Sequence, residues 1–303
     1  MLLDDRTVGK NFKIAFITDW HRGNRASSKD AIMETVEMIG VNNWYWWHLG
    51  DGIEATHLYN KYFDPLTQHG RNNEIKFQCQ DFASIVRPIK SRCLALNEGN
   101  HERRKAIKSV LDATVEIRSL LGIDVPVAFT IKRKVADNCM IYGVHSNIYT
   151  NSQAKQSQKQ RYDNECNSIK NRLVKLPGIS DADAVLCGHG HKLRTIPPVM
   201  NTDIYGIDTL KMEQNSDFRA GNSIHADSKW YGMCGGALRT VIAKKYDPEA
   251  DKVISDATGE VLSKGTVDIT TYSEAGGYGY TDMGFSLATI DGGRLQNIEE
   301  IRV

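Results

Sequence analysis

Short apolar runs alternate with longer polar segments of helical periodicity over the first three-quarters of this 303-residue chain. The apolar run at 12–18 predicts a buried strand. The segment 29–40 repeats apolar residues at helical spacing behind Ser28, a suitable N-cap. By the same reasoning we predict further strands at 44–49, 93–96, 140–144 and 184–187, and further helices at 75–89, 102–121 and 153–176. Strands that alternate with helices predict an α/β domain.

The predicted strands share a second feature, which is that a residue able to bind metal follows each of them. These residues are Asp19, Asp51, the pair Asn100 and His101, His145, and the pair His189 and His191. In open α/β sheets, ligand sites form beyond the carboxyl ends of the strands. Residues far apart in sequence can therefore converge on one site.

The chain changes character after Pro197 and Pro198. Strand-like segments at 230–245, 265–272 and 285–290 are separated by glycine-rich turns. We expect a single domain over 1–303, with a metal-binding core at 12–195 and C-terminal strands in 196–303 that complete a second sheet. The segment 52–73 follows a ligand strand directly and is a candidate lid or substrate loop.

Each motif taken alone has an ordinary structural explanation. Gly50-Asp51 is a common turn, a lone histidine such as His145 is often a satisfied polar residue, and Asn100 could simply cap a helix. The Gly188-His189-Gly190-His191 run is the most informative, because alternate residues leaving a strand point the same way. Its alternative is a glycine-rich turn with incidental histidines.

Taken together and in order, the motifs resemble the ligand series of the calcineurin-like metallophosphoesterases. The ordered motifs are Asp19-Trp20-His21, Gly50-Asp51, Gly99-Asn100-His101-Glu102, His145 and Gly188-His189-Gly190-His191. The resemblance extends over about residues 12–195. It implies two packed mixed β-sheets flanked by helices, an αββα sandwich, with a bimetal centre at the sheet edge.

The resemblance also assigns a role to each residue. The implied ligands are Asp19, His21 and His191 for the first metal, Asn100, His145 and His189 for the second, and Asp51 as the bridge between them. His101 is implied to lie near the leaving group as the catalytic acid rather than as a ligand. Two local departures, at Ser146-Asn147 and at Ile53-Glu54-Ala55, remove no ligand and bear on substrate details.

The same residues support a hydrolytic site on chemical grounds. Two divalent cations must share a ligand, which a carboxylate such as Asp51 can provide. The carboxylates of Asp19 and Asp51 leave the site with excess positive charge, which attracts a phosphate and stabilises charge at phosphorus. Bound water approaches a pKa of about 7, so a metal-bridging hydroxide can attack, and His101, with an ordinary pKa of about 6.5, can protonate the leaving oxygen. Imidazole and oxygen donors favour Mn²⁺, with Fe²⁺ or Zn²⁺ as alternatives.

Composition limits the partners and the location. The net charge is +1 with a pI near 7.6, so no global field attracts nucleic acid or membrane. The segment 155–175 carries six basic residues against two acidic ones, and either contacts nucleic acid or is a solvated helix face. The same two alternatives apply to three arginines beside the motifs, which either contact a phosphate or are solvated: Arg22, Arg103 and Arg104. The six cysteines lack CxxC spacing and no long apolar run is present, so we expect a cytoplasmic, non-membrane protein with reduced thiols.

The sequence thus predicts a binuclear metal-dependent phosphoesterase acting on a phosphodiester or phosphomonoester. A DNA or RNA nuclease and a nucleotide phosphodiesterase stay open as branches of this hypothesis. The alternative from another class is a non-catalytic scaffold or binding module that retains the fold. The sequence leaves the oligomeric state undetermined.

Overall fold

The computed structural model describes residues 1–55, 74–103, 111–148, 157–198, 229–239, 244–247, 252–255, 261–264 and 281–303. The candidate lid at 52–73 and the strand predicted at 265–272 lie wholly or mostly outside these segments. The described strands are β1 (Leu2–Asp4), β2 (Phe12–Ile17), β3 (Tyr45–His48), β4 (Cys93–Asn97), β5 (Val127–Ala128), β6 (Thr130–Ala136), β7 (Cys139–His145), β8 (Ala184–Gly188), β9 (Leu193–Ile196), β10 (Trp230–Cys234), β11 (Lys244–Asp247), β12 (Lys252–Ser255), β13 (Val261–Lys264), β14 (Gly284–Asp291) and β15 (Arg294–Arg302). The described helices are α1 (Lys29–Val41), α2 (Ile75–Val86), α3 (Ala113–Leu121) and α4 (Gln158–Leu173), with a 3₁₀ turn at Arg87–Arg92.

Two six-stranded sheets form the body of the protein. The first has the order β15-β14-β2-β3-β4-β5, in which β2 to β5 are parallel and β14 and β15 add an antiparallel edge. The second has the order β1-β6-β7-β8-β10-β9, with parallel and antiparallel pairs. Strands β11 to β13 pair in a separate antiparallel sheet. The predicted fold of two mixed sheets flanked by helices is confirmed.

Three apolar layers hold the sheets and helices together. Strand β2 is buried on both faces, so its residues alternate between layers: Ala15 packs toward the helices beside Trp46 and Phe82, whereas Phe16 packs against Trp47 between the sheets. A third layer buries Ile169 and other apolar residues of α4 against the second sheet. Both sheets are therefore covered, and polar sites are directed to the ends of the strands.

Several element boundaries follow directly from local chemistry. Ser28 caps α1 by accepting the backbone N–H of Ala31, as predicted. Helix α2 gives way to the 3₁₀ turn after Val86, because Pro88 cannot donate the hydrogen bond that continues an α-helix. None of the helices in the described segments has the length and apolar character to cross a membrane.

The helix predicted at 102–121 is wrong at its start. Residues 101–103 form a turn, 104–110 lie outside the described segments, and α3 begins at Ala113. Asp112 caps α3 by accepting the backbone N–H of Val115. Glu102 is absent from the helix because its carboxylate binds backbone groups of two neighbouring turns. The strand predicted at 230–245 is also too long, since β10 ends at Cys234 before Gly235, whose φ is +72°.

Candidate metal centre

Left-handed backbone conformations cluster where strands end and the candidate residues begin. The φ angles are +53° at Asp19, +48° at His21, +52° at Asp51, +87° at His189 and +50° at His191. Residues with a side chain rarely adopt this region, and strained backbone concentrates at functional sites. The chain turns sharply after β2, β3 and β8, and each turn directs polar side chains to the same end of the molecule.

Two glycines allow these turns to approach one another. A Cβ on Gly99 would lie 1.9 Å from Oδ1 of Asp51, and a Cβ on Gly188 would lie 2.1 Å from Oγ1 of Thr18. Both distances are far shorter than a van der Waals contact, so only glycine fits at these two positions. The glycines of the Gly-Asn-His-Glu and Gly-His-Gly-His motifs are therefore needed for close packing of the site.

The structure brings all eight candidate residues into one region. Potential ligand atoms within 4.8 Å of one another form three groups, namely Asp19 with His21 and His191, Asp51 with His145 and His189, and His21 with Asp51 and His101. Asn100 joins the second group, since its Oδ1 lies 2.7 Å from Nδ1 of His189 and 3.0 Å from Nε2 of His145.

The Asp51 carboxylate faces histidines from all three groups. Its Oδ2 is 3.1 Å from Nε2 of His145 and 3.8 Å from Nε2 of both His21 and His101. Its Oδ1 accepts the backbone N–H of His101 at 2.9 Å. One carboxylate oxygen thus fixes the turn, and the other faces these three histidines.

The donor atoms around Asp19 fit a bound cation. Oδ2 of Asp19 accepts the Thr18 hydroxyl at 2.7 Å and the His189 backbone N–H at 2.8 Å. Oδ1 of Asp19 and Nε2 of His21 are buried and have no hydrogen-bond partner within the described segments, and they lie 3.8 Å apart. Buried polar atoms are normally paired, so these two atoms could hold a cation between them.

Outer contacts orient each imidazole. Nδ1 of His145 lies 2.9 Å from the carbonyl oxygen of Leu49, and Nδ1 of His101 lies 2.6 Å from that of Glu54. Nδ1 of His21 lies 3.1 Å from Oε2 of Glu54. Each of these three rings is held through Nδ1, so its Nε2 is directed into the site.

Buried carboxylates and imidazoles shift one another's pKa values in this cluster. Burial opposes protonation of His145, but Asp51 outweighs it and raises the pKa of His145 to about 9. Burial likewise opposes a charge on His21, yet Asp19 and Glu54 raise the pKa of His21 well above its ordinary value. Burial disfavours the Asp51 carboxylate, but the histidines, His145 first, hold its pKa well below the ordinary value. Burial has the opposite effect on His189 and His191, where it lowers the pKa of each imidazole to about 4.

Three residues with roles at the site were not identified from sequence. The sequence motifs assign no function to Glu102, include Glu54 only in a local departure, and place Thr18 at the end of a strand. Each acts through a contact with a residue distant in sequence, as Thr18 does with the carbonyl of Gly50. The signal was strongest for Glu102, which follows the proposed acid directly.

Two of the arginines that flank the motifs, Arg22 and Arg103, have structural partners. Arg22 is buried, and its Nε donates to Asp81 at 2.7 Å. Arg103 places its guanidinium 4.3 Å from the ring centre of Phe129. Arg104 lies outside the described segments. Arg22 is therefore a packing residue rather than a phosphate ligand.

The family model for calcineurin-like phosphoesterases matches residues 12–233. The chain therefore belongs to the calcineurin-like phosphoesterase family. Members of this family are generally metal-dependent hydrolases of phosphate esters and usually bind two divalent metals, and the His and Asp groups described above could bind metal.

Two of the solved structures that match the chain are distant likenesses. A conserved uncharacterised protein from Streptococcus pneumoniae TIGR4, described as a predicted phosphoesterase, is 9% identical with a TM-score of 0.33, over 97% of this chain and 98% of that one. GAP50, described as the anchor in the inner membrane complex of Plasmodium, is 8% identical with a TM-score of 0.34, over 97% of this chain and 89% of that one. No curated protein matches the chain. Membership of the calcineurin-like family therefore rests on the family model and not on these two structures.

Proposed function

We propose that this protein is a binuclear metal-dependent phosphoesterase that hydrolyses a phosphodiester or phosphomonoester. The observation that carries the proposal is the position of Asp51, whose Oδ2 faces His145 on one side and His21 on the other. A carboxylate between two groups of imidazole and oxygen donors is an arrangement that suits a pair of cations.

The proposed ligands divide between two ions. Asp19, His21 and His191 would hold the first, Asn100, His145 and His189 would hold the second, and Asp51 would contact both. Mixed imidazole and oxygen donors without thiolate favour Mn²⁺, then Fe²⁺ or Zn²⁺. Bound cations would supply the activation of water and the charge that stabilises the transition state.

The residues of the chain supply binding, orientation and proton transfer. Only two carboxylates belong to the proposed ligand set, so the loaded site keeps excess positive charge for a phosphate anion. The His101 Nδ1–H donates to the Glu54 carbonyl, which holds the ring with Nε2 toward Asp51. From this position His101 would give its Nε2 proton to the departing oxygen.

Nucleic acid is one candidate substrate class within this proposal. Helix α4 exposes Lys159, Arg161 and Arg172, which could contact a phosphate backbone. Binding to DNA that weakens steeply with salt supports the nuclease branch, and no DNA binding at low salt removes it. Nucleotides and cyclic nucleotides test the phosphodiesterase branch. Because all six cysteines are free in the structure, we place the protein in a reducing compartment such as the cytoplasm.

The decisive experiment combines activity with metal content. Hydrolysis of an aryl phosphodiester with added Mn²⁺ should be abolished in Asp51→Asn and in His189→Ala, while wild type binds two equivalents of metal. Glu34→Ala, an exposed change on α1, is the control and should keep full activity. Full activity in both site variants overturns the assignment. Wild type that binds no metal and hydrolyses nothing supports the scaffold alternative.

A further inference from the structure

The side chain of Glu54 lies between two histidines of the centre. Its Oε2 is 3.1 Å from Nδ1 of His21, and its Oε1 is 3.6 Å from Nδ1 of His101. The two imidazole rings are edge to face, with centres 4.6 Å apart. Asn24 Nδ2 also donates to Oε2 of Glu54 at 3.2 Å. One buried carboxylate therefore contacts a proposed metal ligand and approaches the proposed acid.

Backbone hydrogen bonds fix Glu54 in this place. Its N–H donates to the carbonyl of Arg22 at 2.9 Å, and the N–H of Arg22 donates to the carbonyl of Gly52 at 2.9 Å. The turn that carries Asp51 therefore runs beside the turn that carries His21. This pairing fixes the backbone of Glu54, and the contacts of Oε2 with His21 and Asn24 hold its carboxylate.

We propose that Glu54 is a positioning residue that fixes the His21 ring for metal binding, an inference that rests on the proposed function. Glu54 accepts the Nδ1–H of His21, so the lone pair of Nε2 is directed into the space between Asp19 and Asp51. Oε2 contacts Nδ1 on the opposite side of the ring from Nε2, so Glu54 acts through His21 and not as a ligand beside it. Carboxylates that orient a ligating histidine raise its basicity and select its tautomer.

Glu54 contacts His21 and His101 through different atoms, so metal binding and proton donation can be tested separately. His101 is held by the main-chain carbonyl of Glu54, at 2.6 Å from Nδ1, rather than chiefly by its side chain. Removal of the side chain should release His21 while the main-chain contact to His101 remains. A change at Glu54 should therefore weaken one metal site and leave the other intact.

The test titrates Mn²⁺ into metal-stripped wild type, Glu54→Ala, Glu54→Gln and the exposed control Glu34→Ala, by calorimetry. A parallel Co²⁺ titration, followed by visible absorption, reports the coordination of each site. We expect two ions in wild type and a loss of about 10–100-fold in affinity at one of the two sites in Glu54→Ala. Glu54→Gln keeps an oxygen acceptor for His21 and should bind within a few-fold of wild type. Glu34→Ala should match wild type.

The possible outcomes distinguish this inference from the proposed function. Wild type that binds no metal overturns the proposed function itself. Wild type that binds two ions, with Glu54→Ala unchanged in affinity and in Co²⁺ spectrum, overturns only the role of Glu54. If Glu54→Ala does not fold, Glu54→Met replaces it, since methionine fills a similar volume but is a weak acceptor. Wild-type affinity in Glu54→Met then overturns the inference, and loss at one site supports it.

Discussion

The Oε2 atom of Glu102 accepts a hydrogen bond from the backbone N–H of Asp51 at 3.1 Å. The same oxygen accepts the N–H of Gly99 at 2.9 Å, and Oε1 accepts that of Ile53 at 3.2 Å. Glu102 is buried, and burial together with the Asp51 charge raises its pKa to about 7. One carboxylate thus joins the turn that carries Asp51 to the turn that carries Asn100 and His101.

The first prediction concerns the removal of this carboxylate. Glu102→Ala leaves three buried N–H groups without their acceptor, and each such group costs about 1–3 kcal/mol. We expect the free energy of unfolding of the metal-free protein to fall by about 3 kcal/mol or more. Glu102→Gln should lose less, because its amide oxygen can still accept from the two N–H groups that share Oε2. Urea denaturation measures both, and exposed Glu37→Ala is the control. A loss in Glu102→Ala no larger than in the control contradicts this role.

The second prediction separates metal binding from proton donation at His101. His101→Ala should keep two bound ions and lose about 10²–10⁴-fold in turnover of an ester with a poor leaving group. An ester with an acidic phenol as leaving group needs little protonation, so its loss should be much smaller. Turnover of an alkyl and an aryl ester, with metal content measured on the same samples, checks this. Equal losses for both esters argue against His101 as the acid.

The layout of the fold was largely accessible from sequence, because the buried strands are uniformly apolar. The segment 12–18 anticipates β2, and 184–187 anticipates β8. The apolar pattern does not predict strand β6, because this strand carries Lys132 and Arg133, which are buried and paired with Asp181 and Asp4. A pattern of apolar positions cannot indicate a strand whose charges are neutralised by partners elsewhere in the chain.

The sequence likewise predicts part of the candidate site and not the rest. The convergence of Asp19, Asp51 and His145 was expected because each follows a strand, and the structure places them together; their service as ligands stays a prediction. The contacts that orient them were not accessible. Thr18 and Gly188 are in contact although 170 residues separate them in sequence, and the sequence around neither residue predicts this contact.

The third prediction tests that contact through Gly188→Ala. The added Cβ would lie 2.1 Å from Oγ1 of Thr18, 2.9 Å from Nδ1 of His145 and 3.0 Å from Oδ2 of Asp19. Overpacking of this kind costs about 1–3 kcal/mol, and here the displaced groups include two proposed ligands. We expect both a lower melting temperature and weaker Mn²⁺ binding. Gly9→Ala is the matched control, because a Cβ there meets nothing within 4 Å. Mn²⁺ affinity equal to that of Gly9→Ala would show that the turn tolerates a side chain.

The fourth prediction concerns the acid sensitivity of the turn that follows His191. The backbone N–H of Asp282 donates to the carbonyl of His191 at 2.8 Å, and its Oδ2 lies 2.7 Å from Nη1 of Arg194. Oδ1 lies 3.0 Å from Nη1 of Arg302. Burial disfavours the carboxylate, but Arg194 outweighs this and lowers the pKa of Asp282 below its ordinary value. Asp282 therefore ties the edge of the second sheet to the start of β14 through a charge that depends on pH.

A lowered pKa in the folded state means that ionised Asp282 stabilises the fold above the unfolded pKa of about 4. This contribution is lost as pH falls through the folded-state pKa. Asp282→Asn should lower the free energy of unfolding by about 2 kcal/mol at pH 7, the size of a hydrogen bond to a charged group. The difference between wild type and variant should stay constant down to about pH 5 and shrink below about pH 4. Urea denaturation across this range measures it, with exposed Asp291→Asn as the control. A difference that persists undiminished to the lowest pH at which both proteins fold would mean that packing, and not the charge of Asp282, holds this turn in place.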